Sequence, residues 1–191
     1  MSGIIQKEKP KRIVEVGSGF SSAVALDTLE KTSASAELTF VEPFPKRLYS
    51  LLSKSDKETA NVLVQKVQDV DMQVFTSLEA QDILFVDSSH VAKIGSDVSH
   101  LLLRVLPIFK PGVIIHFHDI FYPQSYPMVW LRDGLAWNES LMLRAFLIGN
   151  SSFEILAFNA FANAEFASDF YETLPRFAQH GGGSFWCVKS S

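Results

Sequence analysis

Four side chains able to hold a cation or move a proton fall in two short runs of this 191-residue chain. Asp87 and His90 lie in FVDSSH, and His118 and Asp119 lie in HFHDIF. Each run closes an apolar stretch that reads as a strand, so adjacent strand ends would bring the four to one point. Carboxylate and imidazole donors suit Mg²⁺, Mn²⁺ or a similar divalent ion, which holds an acceptor hydroxyl and lowers its pKa; Asp87, Asp119 and His118 are the metal candidates. His90, on the loop after Asp87, reads equally as a metal ligand, a general base or an orienting hydrogen-bond partner. His116 alternates with Ile115 and Phe117 and reads as a buried histidine satisfied by a backbone carbonyl. His100 and His180 carry no pattern.

A second constellation stands upstream, in KRIVEVGSGFSS, Lys11 to Ser22, where an apolar run ends in Glu15 and leads into Gly17 and Gly19. Gly17 can take backbone angles closed to other residues, Gly19 lets the main chain approach a ligand, and Ser21 or Ser22 can cap the helix that follows. The third position of a dinucleotide-binding G-x-G-x-x-G is Ser22, which disfavours NAD. An acid two residues before the first glycine suits a ligand that carries an ammonium group and a sulfonium. Glu42 closes the next strand at the offset where an acid accepts hydrogen bonds from ribose hydroxyls. Pro43 follows it, and Gln68 and Asp69 come just past the third strand.

Alternating strands and helices must position these residues. The strands are read at Arg12 to Val16, Glu37 to Glu42, Asn61 to Val67, Asp82 to Asp87, Val113 to His118, Phe153 to Asn159 and Ser184 to Lys189. Helices are read at Ser22 to Lys31, after Pro45, and at Glu139 to Ile148. Another, capped by Ser96 or Asp97, carries Val98, Leu101, Leu102, Val105 and Leu106 on one face and stops at Pro107. Successive β and α units imply right-handed crossovers, a mostly parallel sheet and ligands at the carboxyl ends of its strands.

Hydrophobic residues make up 47% of the chain and charged residues 20%, enough for residues 1–191 to form one α/β domain with a full core. A net charge of −4, with no basic run interleaved with aromatics, disfavours a nucleic acid partner. Cys187 stands alone, which excludes an internal disulfide and a cysteine zinc cluster. With no signal-like start and no unbroken apolar run of ~18 residues, the expectation is a cytoplasmic protein without a membrane span.

Long runs in order, EVGSGFSS, TFVEP, DILFVDSSHVAKIGSDV, LPIFKPGVIIHFHDIFYPQSYP, WNESLMLRAFL and GGGSFW, resemble the class I S-adenosylmethionine (SAM) dependent methyltransferases of the small bacterial group called methyltransferase family 24. Ser21 replaces the last glycine of the family's first motif. The resemblance implies a Rossmann-like fold: a seven-stranded, mostly parallel sheet with an antiparallel last strand and helices on both faces. It implies SAM bound by Glu15, Val16, Gly17, Ser18, Gly19, Ser21, Glu42, Pro43, Gln68, Asp69 and Asp87. More distantly, Asp87 and Asp119 match magnesium ligands of macrocin-type and catechol-type O-methyltransferases, with His118 where those enzymes carry an acid or amide. The activity implied is methylation of a hydroxyl on a small molecule or glycan precursor, with Asp87, His90, His118 and Asp119 as the catalytic set.

Two alternatives stand beside it, a SAM-binding domain without turnover and an NAD-dependent oxidoreductase. Phe121, Tyr122, Tyr126, Trp130 and Trp137 suit either a wall over the acceptor or ordinary loop packing. Asn138 and Glu139 stand at a helix start and read by default as capping residues, Glu139 either stabilising the helix dipole or reaching the site. The eleven residues before the first strand imply an open cofactor mouth, or one completed by a homodimer.

Overall fold

The structure is a computed structural model describing residues 1–123 and 126–191; Gln124 and Ser125 of the aromatic segment and the side chain of His180 lie outside the described residues. Seven strands form one sheet: β1 (Arg12–Val16), β2 (Glu37–Val41), β3 (Asn61–Leu63), β4 (Ile83–Val86), β5 (Ile114–Phe117), β6 (Phe153–Phe158) and β7 (Phe185–Lys189), in the order β3-β2-β1-β4-β5-β7-β6. The first five run parallel, and β7 lies antiparallel between β5 and β6. Helices cover both faces, so the central strands are near-continuous apolar runs rather than alternating ones.

Each face carries its own core. Phe75, Leu84, Val98, Leu101, Leu102, Phe117 and Cys187 belong to one. Ile13, Ala25, Phe40, Leu48, Phe85, Ile114 and Trp186 belong to the other. A fully buried Leu, Ile or Phe contributes about 1.5–3 kcal/mol. Asp82 fixes where β1 starts against β4, because its Oδ1 accepts from the amides of Lys11 (3.0 Å) and Arg12 (2.8 Å) and its Oδ2 from Glu79 (3.0 Å).

Strand register sets the functional edge. Val16 pairs with both Val41 and Val86, and Val86 pairs with Phe117. The residues one step further, Gly17, Glu42, Asp87 and His118, therefore emerge side by side. The ladder continues through them: Gly17 N donates to Val41 O (3.0 Å), Asp87 N to Val16 O (2.8 Å) and His118 N to Val86 O (2.8 Å).

Several elements differ from the sequence reading. β3 ends at Leu63 instead of Val67: Leu63 O accepts from Glu42 N (3.1 Å) just past β2, and Val67 opens a 3₁₀ turn, Val67–Asp69. The first helix after the glycine loop begins at Phe20 with Gly19 at its cap position; Ser22, three residues on, accepts from Gly19 N (3.0 Å), so neither Ser21 nor Ser22 is the cap. Ser96 does cap the helix at Asp97–His100, but that helix loosens into a π turn, Leu101–Val105, and tightens into a 3₁₀ turn, Leu106–Ile108, which holds Pro107 rather than ending before it. Ser2–Glu8 forms an unforeseen helix that buries Ile5. Asn159–Phe170 and Pro175–His180 are helices between β6 and β7; the first buries no residue and so leaves no apolar stripe to read. Among the described residues no helix is long and apolar enough to cross a membrane.

Candidate functional site

Gly17 turns the chain out of β1 with φ of 82°, and the chain passes so close to β4 that a Cβ there would meet the Asp87 carbonyl oxygen at 1.6 Å. Only glycine satisfies both conditions. Two chambers open on either side of this contact, and Gly17 and Asp87 line both. One, about 460 Å³, is walled by Ser18, Gly19, Ser21, Phe85, His116, His118 and Ser184 among others. The other, about 470 Å³, includes Val16, Glu42, Pro43, Val67, Gln68 and Ser88.

Glu15 lies beneath the glycine loop with no solvent exposure. Its Oε1 accepts from the Ser21 hydroxyl, while Oε2 is buried without a partner among the described residues. Burial drives its pKa up to about 7; the Ser21 and Ser22 hydroxyls oppose the shift, and the Asp87 and Glu42 carboxylates add to it. Glu42 accepts from Phe44 N (2.8 Å) in a local turn. Gln68 donates to Gly95 O (2.9 Å) at the rim of the second chamber. Asp69, grouped with these residues from sequence, is exposed and lines neither chamber.

The four residues read as catalytic do converge. His90 is buried, with Nε2 3.3 Å from Asp87 Oδ1 and 4.0 Å from Asp119 Oδ2. His118 is the more open, its Nε2 3.6 Å from Asp119 Oδ1. His90 and Asp119 both hold left-handed backbone, φ 59° and 55°, an uncommon conformation for residues other than glycine and one concentrated at functional sites. Burial alone would lower the His90 pKa, but hydrogen bonds and charge from Asp87 and Glu139 outweigh it and raise it to about 9. Burial raises Asp119, against the pull of His118 and His90 and with the push of Asp87.

Of the two readings open for Glu139, helix capping and reaching the site, the residue takes the second in the structure. It sits at the first position of the helix Glu139–Leu147, yet it is fully buried, with Oε2 2.7 Å from His90 Nδ1 and Oε1 accepting from Ser88 Oγ (3.1 Å). Asn138 makes no side-chain cap; its amide pairs with the Ala92 backbone, Oδ1 accepting from N (2.6 Å) and Nδ2 donating to O (3.2 Å). The available signal was an acid directly after the aromatic segment. Rather than walling either chamber, Phe121 packs on Trp130 and Trp130 on Trp137, Trp137 stands 4.2 Å from the His90 ring, and Tyr122 packs on Phe158 and Phe161.

His116 stacks on Phe85 with ring centres 3.9 Å apart, and its Nε2 meets Ser184 Oγ (2.8 Å) in place of the expected backbone carbonyl. Ser184 also accepts from Trp186 Nε1 (2.9 Å). Burial, then the charge of His118, holds the His116 pKa well below its usual value, so the ring is neutral.

The divalent ion expected on Asp87, Asp119 and His118 does not fit these residues. His90 Nε2 already faces both carboxylates, 3.3 Å from Asp87 and 4.0 Å from Asp119. Among the described residues no group of three or more acidic, histidine or cysteine side chains has a metal-holding arrangement.

A family model described as "Methyltransferase domain" matches residues 14–120. A curated protein of Archaeoglobus fulgidus, described as uncharacterized, is 40% identical over 72 residues, which span 37% of this chain and 32% of that protein; the match thus covers about a third of the relative's length. The fold matches the plantazolicin methyltransferase BpumL in complex with a monoazolic desmethylPZN analog and SAH at TM-score 0.57, with 14% identity over 100% of this chain and 80% of that one. It matches the SAH-bound Podospora anserina methyltransferase PaMTH1 at TM-score 0.59, with 16% identity over 100% of this chain and 76% of that one. A cmcI structure with Mg-SAM gives TM-score 0.52 and 14% identity, over 81% and 60% of the two chains.

Proposed function

Because the chain belongs to the methyltransferase-domain family, within the class I SAM-dependent methyltransferases, we propose that it methylates a hydroxyl of a small molecule or glycan precursor, taking the methyl group from SAM. The observation that carries this reading is the alignment of Gly17, Glu42, Asp87 and His118 along one sheet edge, between two chambers that share Gly17 and Asp87.

The residues present fit SAM. Glu15 lines neither chamber, and its buried Oε2, without a partner among the described residues, would act on a ligand ammonium by charge from under the loop rather than by contact. Val16, Gly17, Ser18, Gly19 and Ser21 would hold the methionine part, Glu42 and Pro43 the ribose, and Gln68 the adenine side. Asp69 is too exposed for more than a rim contact. When bound, SAM supplies an electrophilic methyl group on a sulfonium. Transfer then needs a deprotonated acceptor, aligned and shielded from water.

His118, half-exposed on the first chamber, is the group placed to take the acceptor proton, and Asp119, with Oδ1 3.6 Å from Nε2, would stabilise the imidazolium that forms. Asp87 faces both chambers, joining the donor and acceptor sides. We further propose a cytoplasmic setting, with a homodimer as the partner state to be tested. Calorimetry with SAM, S-adenosylhomocysteine (SAH) and NAD tests the reading. Saturable SAM and SAH binding with methylated product from a hydroxyl acceptor screen is expected; binding of NAD alone would overturn it, and SAH binding with no product across the screen would favour a domain without turnover.

A further inference from the structure

Resting on that reading, we propose that Glu139 is a positioning residue that keeps the His90 ring between Asp87 and Asp119, so that an imidazole N–H occupies the place a divalent ion would take. One helical turn grips His90 from both ends. The amides of Asn138 and Glu139 donate to the His90 carbonyl at 3.0 and 3.2 Å, while Glu139 Oε2 accepts from Nδ1 at 2.7 Å. Ser88 holds the second Glu139 oxygen, and the Trp137 ring closes the side of the imidazole. The carboxylate is fully buried, and a buried acid with both oxygens committed has a single geometry.

With Nδ1 spent on Glu139, Nε2 is left facing two carboxylates, Asp87 at 3.3 Å and Asp119 at 4.0 Å. Two acids converging from adjacent strand ends repel unless something positive or hydrogen-bearing stands between them. In oxygen-rich sites that role falls to Mg²⁺ or Mn²⁺. Here a side chain of the same chain fills it, anchored from a helix more than forty residues away in sequence. Glu139 lines neither chamber; it reaches the site through His90 and, by its second oxygen, through Ser88 on the wall of the second chamber.

Mn²⁺ binding to the intact chain, read by electron paramagnetic resonance with SAH calorimetry alongside, tests the proposal. The wild-type chain is expected to leave Mn²⁺ free, whereas His90→Asn and Glu139→Leu, which has no acceptor for Nδ1, release the acids and bind it at least tenfold more tightly, retained SAH binding showing that each variant is folded. His90→Lys, which restores a cation, should return the site to Mn²⁺ indifference. Tight Mn²⁺ binding by the wild type that is lost in Asp87→Asn overturns the proposal, and this measurement needs no variant of the buried pair. A folded Glu139→Leu chain that binds SAH but stays indifferent to Mn²⁺ overturns the positioning role. Absence of SAH binding in the wild type would instead count against the methyltransferase reading itself.

Discussion

A β-carbon on Gly17 would stand 1.6 Å from the carbonyl oxygen of Asp87, so the glycine loop and the end of β4 are locked together by the absence of a side chain. Gly17→Ala meets backbone on one side and a left-handed φ of 82° on the other. The expected cost is about 3 kcal/mol or more, with SAH binding lost as Asp87 is displaced. Urea unfolding and calorimetry check it; a variant of wild-type stability would mean that the two strand ends separate easily.

Glu15 makes stability depend on pH. Its carboxyl titrates near 4.5 when unfolded and near 7 when folded, so the native state holds the proton more tightly across that window. Stability is greatest on the acid side and falls as pH rises through the window, by about 3 kcal/mol in total. Glu15→Gln keeps an acceptor for Ser21 and removes this slope. Unfolding at about pH 5 and about pH 8 compares the two proteins, and parallel slopes would refute the assignment.

Glu42→Ala should leave the fold intact, since Glu42 contributes a local turn bond to Phe44 N. Charge-assisted hydrogen bonds are worth about 1.5–3 kcal/mol each, so SAH affinity should fall about 10- to 100-fold. An unchanged dissociation constant would remove Glu42 from the ribose position.

Asp119→Asn preserves the backbone, because asparagine adopts left-handed angles readily and φ is 55° here. Loss of the carboxylate that would stabilise protonated His118 should lower kcat by about 10²–10⁴ with SAH affinity retained. Steady-state kinetics on any acceptor that gives product decides it, and full turnover would exclude Asp119 from the mechanism.

The parallel core and its functional edge were legible because buried parallel strands are written as apolar runs, and Val16, Val41, Val86 and Phe117 each end one. The convergence of Asp87, His90, His118 and Asp119 followed from that order alone. What sequence could not supply was the partner of His90, because Glu139 lies on a helix whose docking angle depends on the aromatic cluster before it. A carboxylate at a helix start looks the same in sequence whether it faces water or a buried imidazole. The helices at Asn159–Phe170 and Pro175–His180 escaped for a related reason: propensity without a buried stripe leaves no period to detect.

The three amides that extend the ladder past the strand ends, those of Gly17, Asp87 and His118, belong to the floor of an open cleft yet are bonded like the middle of the sheet. In hydrogen–deuterium exchange they should be among the slowest protons in the molecule, released by whole-domain opening rather than by breathing of the rim. The floor is therefore stiff before anything binds, and whatever closing motion accompanies a ligand has to come from the loops above it.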